Sequence, residues 1–345
     1  MRALGRLALA GMNPSGSPLR VGVVGPVYPD SFADNILSAL RAIGTTAFHL
    51  GPLRRESPAG VARAFDLVAR ASVPIDKRWQ MRLAVRAEPL ELDVVISVQG
   101  GLLPSVVARL RSRGAKVCLW FPDSLDALDR GLMLLAPYDA IFFKEPLLIR
   151  RLQALLDLPI HYLPEACNPE WHRPCTAYGT QPHVAVVGTL RAQRIRLLER
   201  LEADGVPLRL HGAPMPRWAS SARLERLPAG GNVYREDKAR AFRSAVAALN
   251  PINPAEAEGV NCRLFEATGS GAVVLCEDRA AIGDLFERGE EVLTYSSYSE
   301  LLTHVRWLLE QPSAGADIAN AASRRAHGEH TYRHRLTAIF EVLTC

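Results

Sequence analysis

Short apolar runs alternate with amphipathic stretches along most of this chain, and that alternation predicts the fold. Leu19–Gly25 (LRVGVVG) reads as a buried strand, followed by the turn-forming PVYPDS. Ile36, Leu37, Leu40 and Ile43 then recur at helical spacing until Gly44 stops the helix. Further strands are expected at Thr46–Leu50, Asp93–Val98, Ala115–Phe121 and Asp139–Phe143, with helices at Pro104–Arg113 and Pro146–Leu156. The pattern restarts after residue 182. Strands are expected at His183–Val187, Leu208–His211, Ala245–Leu249, Ala272–Leu275 and Glu291–Tyr295. Helices are expected at Arg191–Ala203, Asp237–Ser244, Cys262–Thr268 and Tyr298–Glu310, and one or two more over Ala316–Leu343. Continuous apolar strands separated by amphipathic helices predict an α/β chain with parallel sheets covered on both faces. Right-handed crossovers make each half Rossmann-like.

The break between the halves is PEACNPEWHRPCTAYGTQP, residues 164–182, rich in proline and without periodicity. It divides the chain into a tail (1–18, expected to be disordered), a first domain (19–163), a linker (164–182), a second domain (183–315) and C-terminal helices (316–345). No short-period repeat is present. Residues 52–90 interrupt the first domain with Arg54, Arg55, Arg63, Arg70, Lys77, Arg78, Arg82 and Arg86 against few acids. They read as a pair of solvated helices, or as a basic wall around a substrate or an interaction surface.

Composition narrows the class. At 345 residues, 48% hydrophobic and 22% charged, the chain has enough apolar material for two cores. No apolar run approaches the ~20 residues that span a bilayer, and the start is too interrupted for a signal peptide. Cys118, Cys167, Cys175, Cys262, Cys276 and Cys345 form no C-x-x-C pair, and several sit in apolar strands. They read as reduced thiols of a cytoplasmic protein rather than a disulfide frame or zinc site. A net charge of +5 fits an anionic substrate or a membrane surface as well as nucleic acid, although no nucleic-acid partner is expected.

The densest chemistry lies in Asn250–Leu275, NPINPAEAEGVNCRLFEATGSGAVVL. Glu258 and Glu266 flank Gly259, a helix cap at Asn261, and Arg263. An arginine in a first helical turn opposes the helix dipole. Here it adds to the free amides and makes an anion site suited to phosphate. Glu266, further along the helix, could accept paired hydrogen bonds from a ribose diol. Phosphate donors beside a diol acceptor are what a nucleotide-sugar needs.

This segment resembles the E-x₇-E region of retaining GT-B glycosyltransferases. In the longer string GVNCRLFEATGSGAVVL it resembles the spore-maturation CgeB-like branch. The resemblance implies two Rossmann-like domains facing each other across a cleft, with the C-terminal helix crossing back to the first domain. It implies that Glu266 binds the ribose and that Glu258 lies near the donor sugar as a candidate catalytic group. Asn250, Gly259, Asn261, Arg263 and Leu264 then belong to the donor site. VAVVGTLRAQR resembles the family's first strand and phosphate loop, with Arg191 or Arg194 neutralising the diphosphate; a guanidinium fork suits phosphate oxygens. LRLHG places His211 and Gly212 beneath the nucleotide. GNVYREDK resembles the loop that holds the base, through Val233, Tyr234 and Arg235. HTYRHRLTAIFEVL resembles the CgeB-like ending.

The first domain matches less. Loops at the carboxyl ends of its strands should face the acceptor, which brings Tyr28, Asn35, Gln99 and Gly100 to that side. Asp123, in LWFPDS, resembles the W-x-x-D string of the CgeB-like branch and is a candidate base or acceptor-hydroxyl ligand; Asp34 is the second candidate, and also reads as a helix-start residue.

Other chemistries find little support. The chain has no G-x-x-x-x-G-K-[ST] loop and no G-x-S-x-G elbow. It has no clear D-x-D metal motif, which suits the metal-independent GT-B class. His327, His330 and His334 have helical spacing, but solvated or interface roles explain them more simply than zinc. The expected function is sugar transfer from a nucleoside diphosphate sugar (UDP-, TDP- or GDP-linked) to the hydroxyl of an unidentified acceptor, without metal or cofactor, and with retention. A homodimer is compatible with the sequence. The rival readings are a nucleotide-sugar epimerase on the same fold, a non-catalytic two-domain binding protein, and a degenerate transferase kept as a scaffold.

Overall fold

The computed structural model describes residues 12, 16–53, 72–123, 131–175, 181–219, 221–228 and 230–344. Most of the expected N-terminal tail, Arg54, Arg55, Arg63 and Arg70, and part of the expected linker lie outside them. The chain divides into two compact units, one made of Met1–Pro164 with Tyr332–Cys345 and the other of Glu165–Thr331.

In unit 1 the strands are β1 (Arg20–Val24), β2 (Thr46–Gly51), β3 (Val94–Ser97), β4 (Lys116–Phe121), β5 (Ala140–Phe143) and β6 (Ile160–Tyr162). They form one sheet in the order β2-β1-β3-β4-β5-β6, and every pairing is parallel. The helices are α1 (Phe32–Ala42), α2 (Val73–Ala87), α3 (Pro104–Arg111) and α4 (Pro146–Gln153). The inner strands β1, β3, β4 and β5 are buried on both faces, which explains their unbroken apolar runs. Of the two helices expected in the basic stretch, α2 is the one among the described residues.

Unit 2 repeats the plan. Its strands β7 (Gln181–Val187), β8 (Leu208–His211), β9 (Ala245–Asn250), β10 (Val274–Glu277) and β11 (Leu293–Tyr295) lie in the order β11-β10-β9-β7-β8, again all parallel. Its helices are α5 (Ala192–Ala203), α6 (Arg235–Ser244), α7 (Cys262–Gly269), α8 (Ile282–Leu285), α9 (Tyr298–Glu310) and α10 (Ala316–Glu329); α11 (Tyr332–Thr344) belongs to unit 1. Numbered within each unit, the sheets run 2-1-3-4-5-6 in unit 1 and 2-1-3-4-5 in unit 2, each with the reversal between the first and third strands. In open parallel sheets ligands bind outside the carboxyl ends of the strands at that reversal. The positions so marked follow β1 and β3 in unit 1, and β7 and β9 in unit 2.

Two boundaries differ from the sequence reading. Residues 165–175 of the proline-rich segment belong to unit 2, where Cys167 donates its N–H to the His330 carbonyl at 2.9 Å. A Cβ at Gly269 would lie 2.9 Å from that of Cys167. The prolines fix turns there rather than loosen a tether. The C-terminal helices also divide. α10 packs on α7, with Ser323 Oγ 3.4 Å from the Gly269 carbonyl and His327 Nε2 2.8 Å from it. α11 instead packs on α1, where Tyr332, Phe32 and Trp120 form an aromatic cluster with ring centroids 4.6–5.8 Å apart.

Candidate functional site

At the carboxyl end of β7 the chain turns at Gly188, whose φ of +112° is in the left-handed region that glycine adopts freely. Two arginines close on this turn. A Cβ at Gly188 would stand 3.4 Å from Arg194 Nη1 and 3.5 Å from Arg263 Nη1. Arg194, on the first turn of α5, donates to the Thr189 carbonyl at 2.9 Å; Arg263, on the first turn of α7, donates to the Val187 carbonyl at 3.4 Å. Arg194 is buried and Arg263 half-buried, and neither belongs to an ion pair among the described residues. Burial, and then the Arg263 charge, push the Arg194 pKa well down from its usual value. Two guanidinium groups held this close are short of negative charge, and a bound anion would relieve them. Arg191 stands exposed at the N-cap of α5, at the edge of this group.

Local structure fixes Arg263. The Asn261 side chain caps α7 by accepting the Arg263 N–H at 3.1 Å. The same helix turns Leu264 fully into the core and brings Glu266 to a buried position. There Glu266 Oε1 meets Lys238 Nζ of α6 at 2.9 Å. Lys238 was missed in the sequence. It sits in REDK, which reads as a solvated helix start, yet α6 buries Lys238, Ala239, Ala241 and Phe242 on one side. The i, i+4 spacing of Lys238 and Phe242 is the signal that could have found it. Glu258 is half-buried, and its carbonyl accepts the Ala281 N–H at 3.1 Å; Gly259 and Asn250 are buried. Asn250 donates to Cys276 Sγ at 3.4 Å, and its Oδ1 is buried without a hydrogen bond.

Beside the arginines a pocket of about 550 Å³ opens at the ends of β7 and β8. Gly188, His211, Gly212, Gly231 and Asn232 contribute to its wall, and Leu210, Met215, Leu224 and Leu227 give it an apolar side. Its floor depends on a close backbone approach: a Cβ on Gly212 (φ +135°) would be 2.8 Å from the Gly188 carbonyl oxygen. The loop carrying Gly230 and Gly231 extends β8, with Gly230 N–H donating to Leu210 O at 2.7 Å and Gly212 N–H to Gly231 O at 2.9 Å. The ring of buried His211 makes no side-chain hydrogen bond and lies against the Gly230 backbone. Burial, and then Arg209, lower its pKa against a Gly230 backbone contact that raises it, so the ring is neutral at pH 7. Val233 packs on the core cluster of α7 and β10, Tyr234 is exposed, and the Arg235 guanidinium stacks over Trp171 at 4.3 Å from the ring centroid.

In unit 1 the two candidate acids differ. Asp34 belongs to the start of α1: its N–H donates to the capping Ser31 Oγ at 3.2 Å, and its Oδ2 accepts the Asp30 N–H at 2.9 Å. Asn35 is buried beneath the same turn, donating to Asp30 Oδ1 and the Ser31 carbonyl at 3.1 and 3.0 Å. These are the bonds of a loop-holding residue. Tyr28 is exposed above them. Asp123 lies exposed, two residues past β4. Gln99 ties neighbouring loops together by accepting the Leu53 N–H at 2.9 Å, and Gly100 packs closely on Met133. Tyr28, Asn35, Gln99 and Gly100 therefore lie at the strand-order reversal of unit 1. The histidines at 327 and 330 serve packing: His327 bonds the Gly269 carbonyl, and His330 bonds the Leu285 carbonyl at 2.6 Å beside Phe265 and Phe286.

Residues 191–341 match the family model Glyco_trans_1_2, described as "Glycosyl transferase-like". No curated protein shows significant sequence similarity to the chain. Three solved structures share the fold over nearly its full length. Sucrose-phosphate synthase of Thermosynechococcus elongatus is 12% identical, with 94% of this chain and 98% of that one covered and a TM-score of 0.67. HepE of Anabaena, solved with UDP and glucose, is 12% identical, with 94% and 99% covered and a TM-score of 0.68. AviGT4, a glycosyltransferase of avilamycin A biosynthesis, is 16% identical, with 95% and 97% covered and a TM-score of 0.65. The architecture is that of the GT-B fold, and its second half carries a glycosyl transferase-like match.

Proposed function

We propose that the protein moves a sugar from a nucleoside diphosphate sugar to an acceptor hydroxyl, without a metal ion and with retention at the anomeric carbon. The observation that carries this reading is the meeting of Arg194 and Arg263 at Gly188, two guanidinium groups beside a nucleotide-sized pocket. In this reading the diphosphate lies on the two arginines and the α7 amides. Charge that grows on the leaving group is stabilised by these fixed partners, the role a metal ion fills elsewhere. The base occupies the pocket bounded by His211, Gly212 and Asn232. Glu266, oriented by Lys238, accepts the ribose hydroxyls, and Glu258 stands near the sugar. Asp123 serves the acceptor hydroxyl. The family resemblance of the glutamate pair supports retention, and UDP, TDP and GDP are the candidate carriers.

Calorimetry with UDP, TDP and GDP in the presence of EDTA tests the reading. One of them is expected to bind, and to bind at least tenfold more weakly to Arg263→Met. Absence of binding by all three, or binding that needs a divalent metal, would overturn the leaving-group account.

A further inference from the structure

We propose that helix α2 is a docking surface for an anionic lipid membrane. Its buried side is made of Asp76, Gln80, Leu83, Ala84 and Ala87. On the other side Ile75, Arg78, Trp79, Arg82, Val85 and Arg86 are all exposed, and at 3.6 residues per turn they fall within an arc of about 120°. The stripe holds cations and large apolar groups together. Ile75, Trp79 and Val85 keep 37%, 39% and 53% of their surfaces in water, and the Arg82 guanidinium lies 5.0 Å from the Trp79 ring centroid. None of Arg78, Arg82, Arg86 or neighbouring Lys77 takes part in an ion pair among the described residues, and Asp76, the helix's acid, is turned inward.

This composition selects the occupant. A nucleic acid or an acidic peptide would use the arginines and could stack on Trp79, but would leave Ile75 and Val85 in water. A bilayer surface takes both: phosphate headgroups meet the cations while the apolar side chains enter the acyl boundary. The attachment proposed here is through the face of this helix; among the described residues no helix is long and apolar enough to cross a membrane. Gln80 joins this helix to the loop after β3, its Nε2 donating to the Gly101 carbonyl at 3.0 Å and its Oε1 accepting the Leu103 N–H at 2.8 Å. That loop begins at Gln99 and Gly100. Taken with the proposed sugar transfer, on which this step rests, the acceptor hydroxyl belongs to a molecule held in the membrane.

Flotation of the full chain with vesicles tests the surface without any nucleotide. The chain is expected to float with vesicles of equal parts phosphatidylglycerol and phosphatidylcholine and not with phosphatidylcholine alone. Arg78→Ala with Arg82→Ala should lower the partition roughly twenty-five-fold, at about fivefold per cation. Ile75→Ser with Trp79→Ala should lower it at least fivefold, and Arg196→Ala, at an exposed position of α5, should leave it unchanged. Failure of the unaltered chain to float with the anionic vesicles would overturn the proposal. So would full binding by the Ile75 and Trp79 variant, which would mark a general polyanion patch. Nucleoside diphosphate affinity, measured on the same variants, is expected to stay constant, so loss of docking and loss of the donor site are read separately.

Discussion

Lys238 Nζ and Glu266 Oε1 lie 2.9 Å apart, with 11% and 6% of their side chains exposed, and so form a buried ion pair between α6 and α7. Removing one partner of such a pair costs on the order of 3 kcal/mol, because the other charge stays in a poorly solvated place. Lys238→Met should lower the melting temperature, and Lys238→Met with Glu266→Gln should recover most of the loss. Glu266→Gln leaves Lys238 a hydrogen-bond acceptor where Glu266→Ala leaves none, and is therefore the cleaner probe of ribose binding. It should weaken nucleoside diphosphate binding by about 1–3 kcal/mol in a folded protein. Independent, additive effects of the two single changes in thermal denaturation would refute the coupling.

The arginines at Gly188 make a prediction with two signs. Arg194→Met and Arg263→Met keep the apolar stems and remove the charges. Each should raise the dissociation constant for the preferred nucleoside diphosphate ten- to hundred-fold, from about 1.5–3 kcal/mol per charged hydrogen bond. In the free protein the same changes remove a like-charge contact, so its melting temperature should hold or rise. Thermal shift with and without ligand separates the two, and a free-state loss as large as the bound-state loss would make the arginines structural.

At Gly212 the backbone leaves no room for a side chain. Gly212→Ala would set a methyl group 2.8 Å from the Gly188 carbonyl oxygen at a φ of +135°. The expected cost is on the order of 2 kcal/mol, together with loss of nucleotide affinity as the pocket floor shifts. Gly205→Ala is the control. It has φ +78° with nothing near the added carbon, so it should cost less and leave affinity intact.

Histidine 183 links stability to pH. Burial first, then the charge of Arg209 and the neighbouring His211, lower its pKa from the usual 6.5 to about 4. The unfolded chain binds a proton near pH 6.5, whereas the folded chain resists it until near pH 4. Stability present above pH 6.5 is therefore lost as pH falls through that window. His211, shifted in the same direction, adds to the slope. Melting temperature measured from neutral pH downward should fall there, and His183→Gln should flatten the fall. An unchanged slope would place the titration elsewhere.

The two acids of unit 1 are separable. Asp34→Ala removes a helix-start hydrogen bond and should cost about 1 kcal/mol of stability. Asp123→Asn should leave stability and nucleotide affinity alone while lowering sugar transfer at least tenfold, about 1.4 kcal/mol in the barrier. Normal transfer by Asp123→Asn would remove it from the acceptor side.

The sheets were legible in the sequence because parallel strands covered on both faces must be apolar throughout, as in Val184–Val187 and Val94–Ser97. β6 was not, since Ile160–Tyr162 is three residues at a sheet edge and carries a histidine. Arg263 stood out because it occupies a helix position that the dipole disfavours. Lys238 did not, because a lysine among Arg235, Glu236 and Asp237 resembles a solvated face until the packing of Phe242 is known. Proline misled at 164–175: it marked an irregular backbone correctly, but such a backbone can be packed as firmly as a helix. The positions of the site glycines were visible, but not the close approach of Gly212 to Gly188, which depends on two strands meeting.

The return of α11 to unit 1 makes unit 2 an insertion. The path enters it at Glu165 and leaves it after Thr331, and the Cys167–Thr331 bridge holds entry and exit side by side. A fragment ending at Pro164 would lack Tyr332, which completes the aromatic cluster of Trp120 and Phe32. It would also lose the Arg335 bond to the Pro164 carbonyl, 3.1 Å long. Excision of unit 1 as a free-standing fold thus requires grafting residues 332–344 onto its end, whereas residues 165–331 can be removed as one continuous piece. A protease that cuts one of the two crossings leaves the units covalently tethered through the other.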